Sequence, residues 1–134
     1  MFNRRTFLSA AAATAAAPHI ASAKTTPMKA ALYANVGADL TRYDIDVEKA
    51  ELIKRETISL PAGVQYAWPH KSRRYLYVAT SSSASGYGKA GTDHHVTALA
   101  VDPATGALKP HGKPIVLPTR PIHMSLDIPS EHIL

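Results

Sequence analysis

Two stretches of this 134-residue chain repeat the same order of apolar and polar positions. The first runs Leu32-Tyr33-Ala34-Asn35, Leu40-Thr41-Arg42-Tyr43-Asp44-Ile45-Asp46, Ala50-Glu51-Leu52 and Leu60-Pro61. The second runs Leu76-Tyr77-Val78-Ala79, Val96-Thr97-Ala98-Leu99-Ala100-Val101-Asp102, Gly106-Ala107-Leu108 and Leu117-Pro118. Each continues into a short apolar stretch, residues 64–68 and 122–126, and then through a turn into another aliphatic pair. Leu32 lies 44 residues before Leu76, and Leu76 lies 58 before Leu134, with the extra length mostly in the Ser/Gly-rich residues 81–93.

Short alternating or wholly apolar runs bounded by turn residues are the signature of strands. Residues 31–36 and 75–80 carry few charges and suit burial on both faces. In the next strand Leu40, Arg42, Asp44 and Asp46 alternate with Thr41, Tyr43 and Ile45, which predicts Tyr43 and Ile45 facing inward. Turns are expected at 46–49 and 102–106, where Pro103 presets φ and Gly106 admits a positive one. Residues 57–60 and 114–117 read as outer strands, each ended by proline. Prolines at 61, 69, 103, 110, 114, 118, 121 and 129 argue against long helices. A repeat of about 45 residues with four short strands is the spacing of a β-propeller blade. The expected fold is therefore all-β, with residues 28–134 forming two four-stranded antiparallel sheets of one topology. Two blades do not close a ring of the usual 4–8 or so. The last residues fall inside what would be the third blade's inner strand. Residues 24–134 are thus expected to be the first two blades of a longer propeller. Alone, they should be incompletely folded or self-associating, and inactive.

The first 23 residues read differently. Arg4-Arg5-Thr6-Phe7-Leu8, an Ala-rich apolar run broken by Pro18, and Ala21-Ser22-Ala23 follow one another in the order of an export signal with cleavage after Ala23. The paired arginines resemble a twin-arginine signal, an address read by the twin-arginine translocase and no membrane anchor. The expected location is periplasmic or secreted. Removing Arg4 and Arg5 takes the formal charge from +5 to +3, and no basic stripe interleaves with aromatics, so nucleic acid is not an expected partner. The chain has no cysteine, which excludes disulfides, thiolate catalysis and cysteine-ligated metals.

The turn Asp102-Pro103-Ala104-Thr105-Gly106-Ala107-Leu108 follows Arg74-Tyr75-Leu76-Tyr77-Val78-Ala79 and precedes Arg120-Pro121-Ile122-His123-Met124-Ser125-Leu126-Asp127. This order, over residues 28–134, resembles the seven-bladed β-propeller lactonase family, which includes 6-phosphogluconolactonase and the fungal-type 3-carboxy-cis,cis-muconate lactonizing enzyme. The chain departs from the pattern where Ile128-Pro129-Ser130-Glu131 replaces a Pro-Asp-Gly turn, and at Trp68-Pro69-His70 in the first unit. The resemblance implies hydrolysis of a sugar lactone such as 6-phosphogluconolactone, a small-molecule substrate. No cofactor or metal is expected. Two alternatives stand beside it: a non-catalytic ligand- or protein-binding propeller, and a muconate-type lactonizing isomerase.

Lactone opening calls for a general base near neutral pH and donors for the developing oxyanion. His123, in the apolar run after Arg120, is the candidate base. Arg120 is the candidate fork for a phosphate or carboxylate. Gln65, Tyr66 and Trp68 occupy the matching place in the first unit, where packing around Trp68 is the simpler expectation. His94 and His95 should point to opposite faces, with Asp93 and His95 sharing one, which gives too few ligands for a metal. Residues 82–91 lack the ending of a phosphate loop and read as a rim loop. Arg73 and Arg74 should be solvated.

Overall fold

The computed structural model describes residues 30–83 and 91–134, and their regular structure is entirely β. The expected signal and most of the glycine-rich loop lie outside the described residues. Three strands, β1 (Ala31–Val36), β2 (Asp39–Asp46) and β3 (Glu51–Ser59), form an antiparallel meander. A second antiparallel sheet runs β4 (Gly63–Pro69), β5 (Tyr75–Ser81) and β6 (His94–Val101). The far edge of β6 is shared by two short strands, β7 (Leu108–Pro110) and β8 (Ile115–Val116).

The repeat seen in the sequence is kept in the strand register. In the first sheet Ala31 faces Asp44, Leu32 faces Tyr43 and Val36 faces Asp39. In the second Tyr75 faces Ala100, Leu76 faces Leu99 and Thr80 faces His95. Adding 44 to the first partner and 56 to the second turns each pair into its counterpart. Ile45 facing Leu52 becomes Val101 facing Leu108 when 56 is added to both partners. A one-residue slip would have sent every side chain to the other face. The extra length of the second unit is therefore taken up in connections, not in the ladders.

One boundary differs from expectation. Residues 64–68 do not complete the first sheet but pair with β5, so the sheets have three and four strand positions. The reason is local: a tight turn, closed by His70 N–H donating to Tyr75 O at 2.9 Å, folds β4 straight back onto β5. The sheets are tied at one end by Val64 N–H of β4 donating to Gly37 O of the β1–β2 turn at 2.9 Å.

The second sheet is the middle layer. One face carries Leu76, Val78, Leu99 and Leu108, which pack on Leu40, Leu60, Tyr33 and Ile58. Its other face is covered by the chain after β8, where Met124 and Leu117 pack on Ala79, Val96, Tyr66 and Tyr77. That segment ends in a narrow hairpin, with Leu126 opposite Ile133 and Ser125 and Leu134 exchanging backbone hydrogen bonds at 3.0 and 2.9 Å.

The first sheet buries the opposite face from the one the alternation predicts. Leu40, Arg42 and Asp44 are buried; Ile45 is exposed and Tyr43 half-buried. Nor is β1 buried on both faces: Leu32 is 38 % exposed where its counterpart Leu76 is 8 %. The cause is an ion-pair network that makes a charged face compatible with burial. Arg42 Nε donates to Glu56 Oε1 at 2.7 Å, and Nη1 donates to Asp44 and to Thr105 O of the facing turn. Arg55 Nε donates to the second Asp44 oxygen at 2.8 Å. Charge-assisted bonds of this kind offset the desolvation of the charges they join. Tyr33 Oη adds a 2.6 Å bond to Gly106 O.

The turn between β6 and β7 matches its sequence reading. Asp102 Oδ1 accepts from Ala104 N, Thr105 N and Thr105 Oγ1, and Gly106 has φ of 73°. Its counterpart in the first unit, Ala50, takes the same left-handed conformation with φ of 52° despite its Cβ. Left-handed backbone costs a non-glycine residue about 1 kcal/mol, so Ala50→Gly should stabilise the chain by that order. Gly106→Ala should do the reverse and more, because an added Cβ would sit 2.8 Å from the Ala31 Cβ. Urea unfolding of the two variants should give shifts of opposite sign; equal signs would refute the equivalence.

Four carboxylates give stability a pH dependence. Burial alone would push the Asp44 carboxyl up, but the guanidinium groups of Arg55 and Arg42 outweigh it and hold it below the ordinary range. Arg42 does the same to Glu56. The Thr105 amide and hydroxyl and the Ala104 amide lower Asp102, and His132 with nearby amides lowers Asp127. Each group binds its proton more weakly folded than unfolded. Its contribution is therefore complete above the unfolded value of about 4 and is lost as pH falls through the depressed folded value. The urea midpoint should hold steady from pH 7 to 5 and fall steadily below 4. A midpoint that rises on acidification would contradict this.

Candidate functional site

The candidate site is built on a β-bulge. Val64 faces Thr80 and Tyr66 faces Ala79, so Gln65 is an extra residue in β4. A bulge re-aims side chains and strengthens the local twist. Gln65 Nε2 donates to Gly63 O of its own strand at 3.2 Å, which directs its carbonyl oxygen away from the strand. Arg120 donates to that oxygen through Nε at 3.0 Å and Nη2 at 2.7 Å. The next residue of β4, Tyr66, meets His123, with ring centroids 4.3 Å apart and planes tilted by 42°. The ring of Tyr66 also lies nearly parallel to that of Trp68, at a centroid distance of 6.3 Å.

Residues 120–123 are held there by their neighbours. Met124 is buried at 2 % exposure on Ala79 and Val96, and Leu117 N–H donates to His94 O at 2.8 Å. The segment is pinned on both sides, while His123 itself stays exposed and Arg120 half-buried. The structure thus brings both candidate residues to consecutive positions of β4. His123 rests on an aromatic ring. Among the described residues, neither His123 nor Arg120 has a carboxylate within ion-pair reach. A base of this type has no carboxylate among the described residues to orient it, and the arginine is held by a neutral amide and not by an acid.

The other candidates fall elsewhere. His94 and His95 do face opposite ways: His94 Nδ1 shares a 2.9 Å hydrogen bond with buried Ser81 Oγ, and His95 Nε2 lies 3.4 Å from Asp93 Oδ1. No group of three His, Asp or Glu among the described residues is placed to hold a metal ion. Arg73 and Arg74 are exposed, as expected. Trp68 is not a packing centre; it is 36 % exposed on the surface beside Tyr66. Asp127, after the segment, caps its own turn by accepting from Glu131 N and His132 N, and pairs with His132 Nδ1 at 2.8 Å. A hollow between the sheets, lined by Leu60, Thr97, Leu99, Pro110 and Pro114, shares no lining residue with Arg120 or His123. No helix of the described residues is long and apolar enough to cross a membrane.

Sequence reasoning placed Gln65 opposite His123 in the repeat but missed that Gln65 holds Arg120. The repeat alignment was the available signal, since it set residues 64–68 against 122–126. The bulge that turns Gln65 toward Arg120 has no signature in the residue pattern. No protein-family model matches the chain, and no curated protein is similar to it.

Proposed function

We propose that the chain forms part of an exported seven-bladed β-propeller lactonase acting on an anionic sugar lactone such as 6-phosphogluconolactone. The observation that carries this is the meeting of Arg120 and His123 on adjacent residues of one β4 bulge. The shared register and face-to-face stacking of the two sheets support the propeller part of the reading. In this reading Arg120 holds the phosphate or carboxylate of the substrate. His123 takes a proton from the water that attacks the lactone carbonyl. The ring C–O bond then breaks, and the ring oxygen leaves as a hydroxyl after taking up a proton.

The test is lactone opening by the exported protein as cells make it, against His123→Ala and Arg120→Ala. Loss of turnover in the first and a raised KM in the second are expected; unchanged turnover in both overturns the assignment. A second reading, a non-catalytic binding module, is favoured by one observation, the absence of an orienting carboxylate near His123 among the described residues. It predicts lactone binding without hydrolysis.

Export belongs to the same proposal. Changing Arg4 and Arg5 together to lysine should leave the precursor in the cytoplasm. Fractionation that finds undiminished periplasmic protein would remove the twin-arginine route.

A further inference from the structure

We propose that Gln65 is a positioning residue that makes Arg120 an oxyanion-binding group, and that it does so because it is neutral. This rests on reading residues 120–123 as a ligand site, but not on any hydrolysis there. A buried or half-buried arginine in a fold is ordinarily matched by an acid, as Arg42 is matched by Asp44 and Glu56 in this same chain. Arg120 is not. Its Nε and one Nη2 hydrogen converge on a single amide oxygen, and that amide is itself anchored to Gly63 O. The guanidinium is therefore fixed in direction without being neutralised.

Two of the five N–H donors of Arg120 are spent on Gln65. The remaining edge carries paired donors whose spacing fits two oxygens of a carboxylate or phosphate. On the same strand as Gln65, Tyr66 and Trp68 present nearly parallel rings, with Trp68 partly exposed, against which a small ring compound can rest. The ligand class is a small organic oxyanion with a ring, the carboxylate and phosphate forms sharing the same recognition chemistry.

Gln65→Glu separates this role from a merely structural one. It keeps the shape and the acceptor but turns the contact into an ion pair. If the Arg120–Gln65 contact serves only to hold residues 117–126 on the sheet, Gln65→Glu leaves anion binding unchanged. If the proposal holds, it keeps or raises Tm and yet weakens anion binding about tenfold, which is about 1.4 kcal/mol. The experiment is calorimetric titration of the full chain, and of its variants, with inorganic phosphate and with acetate at constant ionic strength. The expected order is wild type tightest, Gln65→Ala weaker by a few fold, and Gln65→Glu and Arg120→Ala weaker by tenfold or more. Phosphate tighter than acetate identifies a phosphorylated ligand, and the reverse a carboxylated one; both support the proposal. Wild type that binds neither anion, or Gln65→Glu that binds like wild type, overturns it. Anion binding that follows this order in a protein opening no lactone overturns the lactonase reading alone.

Discussion

Leu99→Ala should lower the unfolding free energy by about 3 kcal/mol, within the range for deleting a fully buried leucine side chain. Leu99 has no exposed surface and stands in the middle layer, facing Leu40, Leu60 and Leu76 in one cluster. The loss combines the transfer of its methyl groups with the cavity left among neighbours that are themselves held in ladders. The repeat supplies an internal control. Tyr43 occupies the equivalent register position in the first sheet but lies on the face turned away from the second. Tyr43→Ala should therefore cost no more than about 1 kcal/mol. Urea unfolding of both variants measures the difference. Equal losses would mean that the layers do not stack as described.

Arg42→Met should cost about 2–3 kcal/mol, the second-largest effect. Methionine fills much of the same volume, so packing is largely kept and the charge is what is removed. Glu56 then loses its partner, Asp44 is left with Arg55 alone, and Thr105 O loses its donor. The variant should also change the pH profile. In the native chain Glu56 resists protonation because Arg42 binds its charged form. Without Arg42, the largest cause of that preference is gone and only backbone hydrogen bonds remain, so the difference between variant and native chain should shrink as pH falls below about 4. A constant difference across pH would show that packing, not charge, is the origin. Replacing Arg42, Asp44 and Glu56 together with apolar residues should recover much of the loss, because the one member left, Arg55, is 44 % exposed and keeps its charge in water.

The sequence made some of this legible and hid the rest for identifiable reasons. The repeat was readable because both units keep their apolar positions in register, Leu32 with Leu76 and Leu52 with Leu108. The turn at Asp102 was readable because its chemistry is local. The buried face of β2 was not, because alternation assigns Arg42 and Asp44 to solvent. Only their partners Glu56, Arg55 and Thr105, 11 to 63 residues away, make burial tolerable. The placement of β4 depended on which neighbour a short apolar strand joins, and a tight turn decided it. At the candidate site His123 and Arg120 were visible as residue types. Their meeting with Tyr66 and Gln65 is a tertiary contact across 55 residues or more.

The long connection between β5 and β6 also has a use outside the protein's own chemistry. Between equivalent register positions, Val36 to Asp39 and Thr80 to His95, it is 12 residues longer than the turn joining β1 to β2, the difference between the offsets of 56 and 44, yet the ladder beside it keeps the same register. Its neck is closed by Ser82 N–H to Asp93 O at 2.8 Å and Gly91 N–H to Ser83 Oγ at 2.8 Å. The second unit carries its extra residues there with its strands in the same register as the first. Because the chain contains no cysteine, a single cysteine introduced between those closing bonds would be its sole thiol. A dye, spin label or surface tether could then be attached at one defined point, remote in sequence from Arg120 and His123, with no native side chain competing for the reagent.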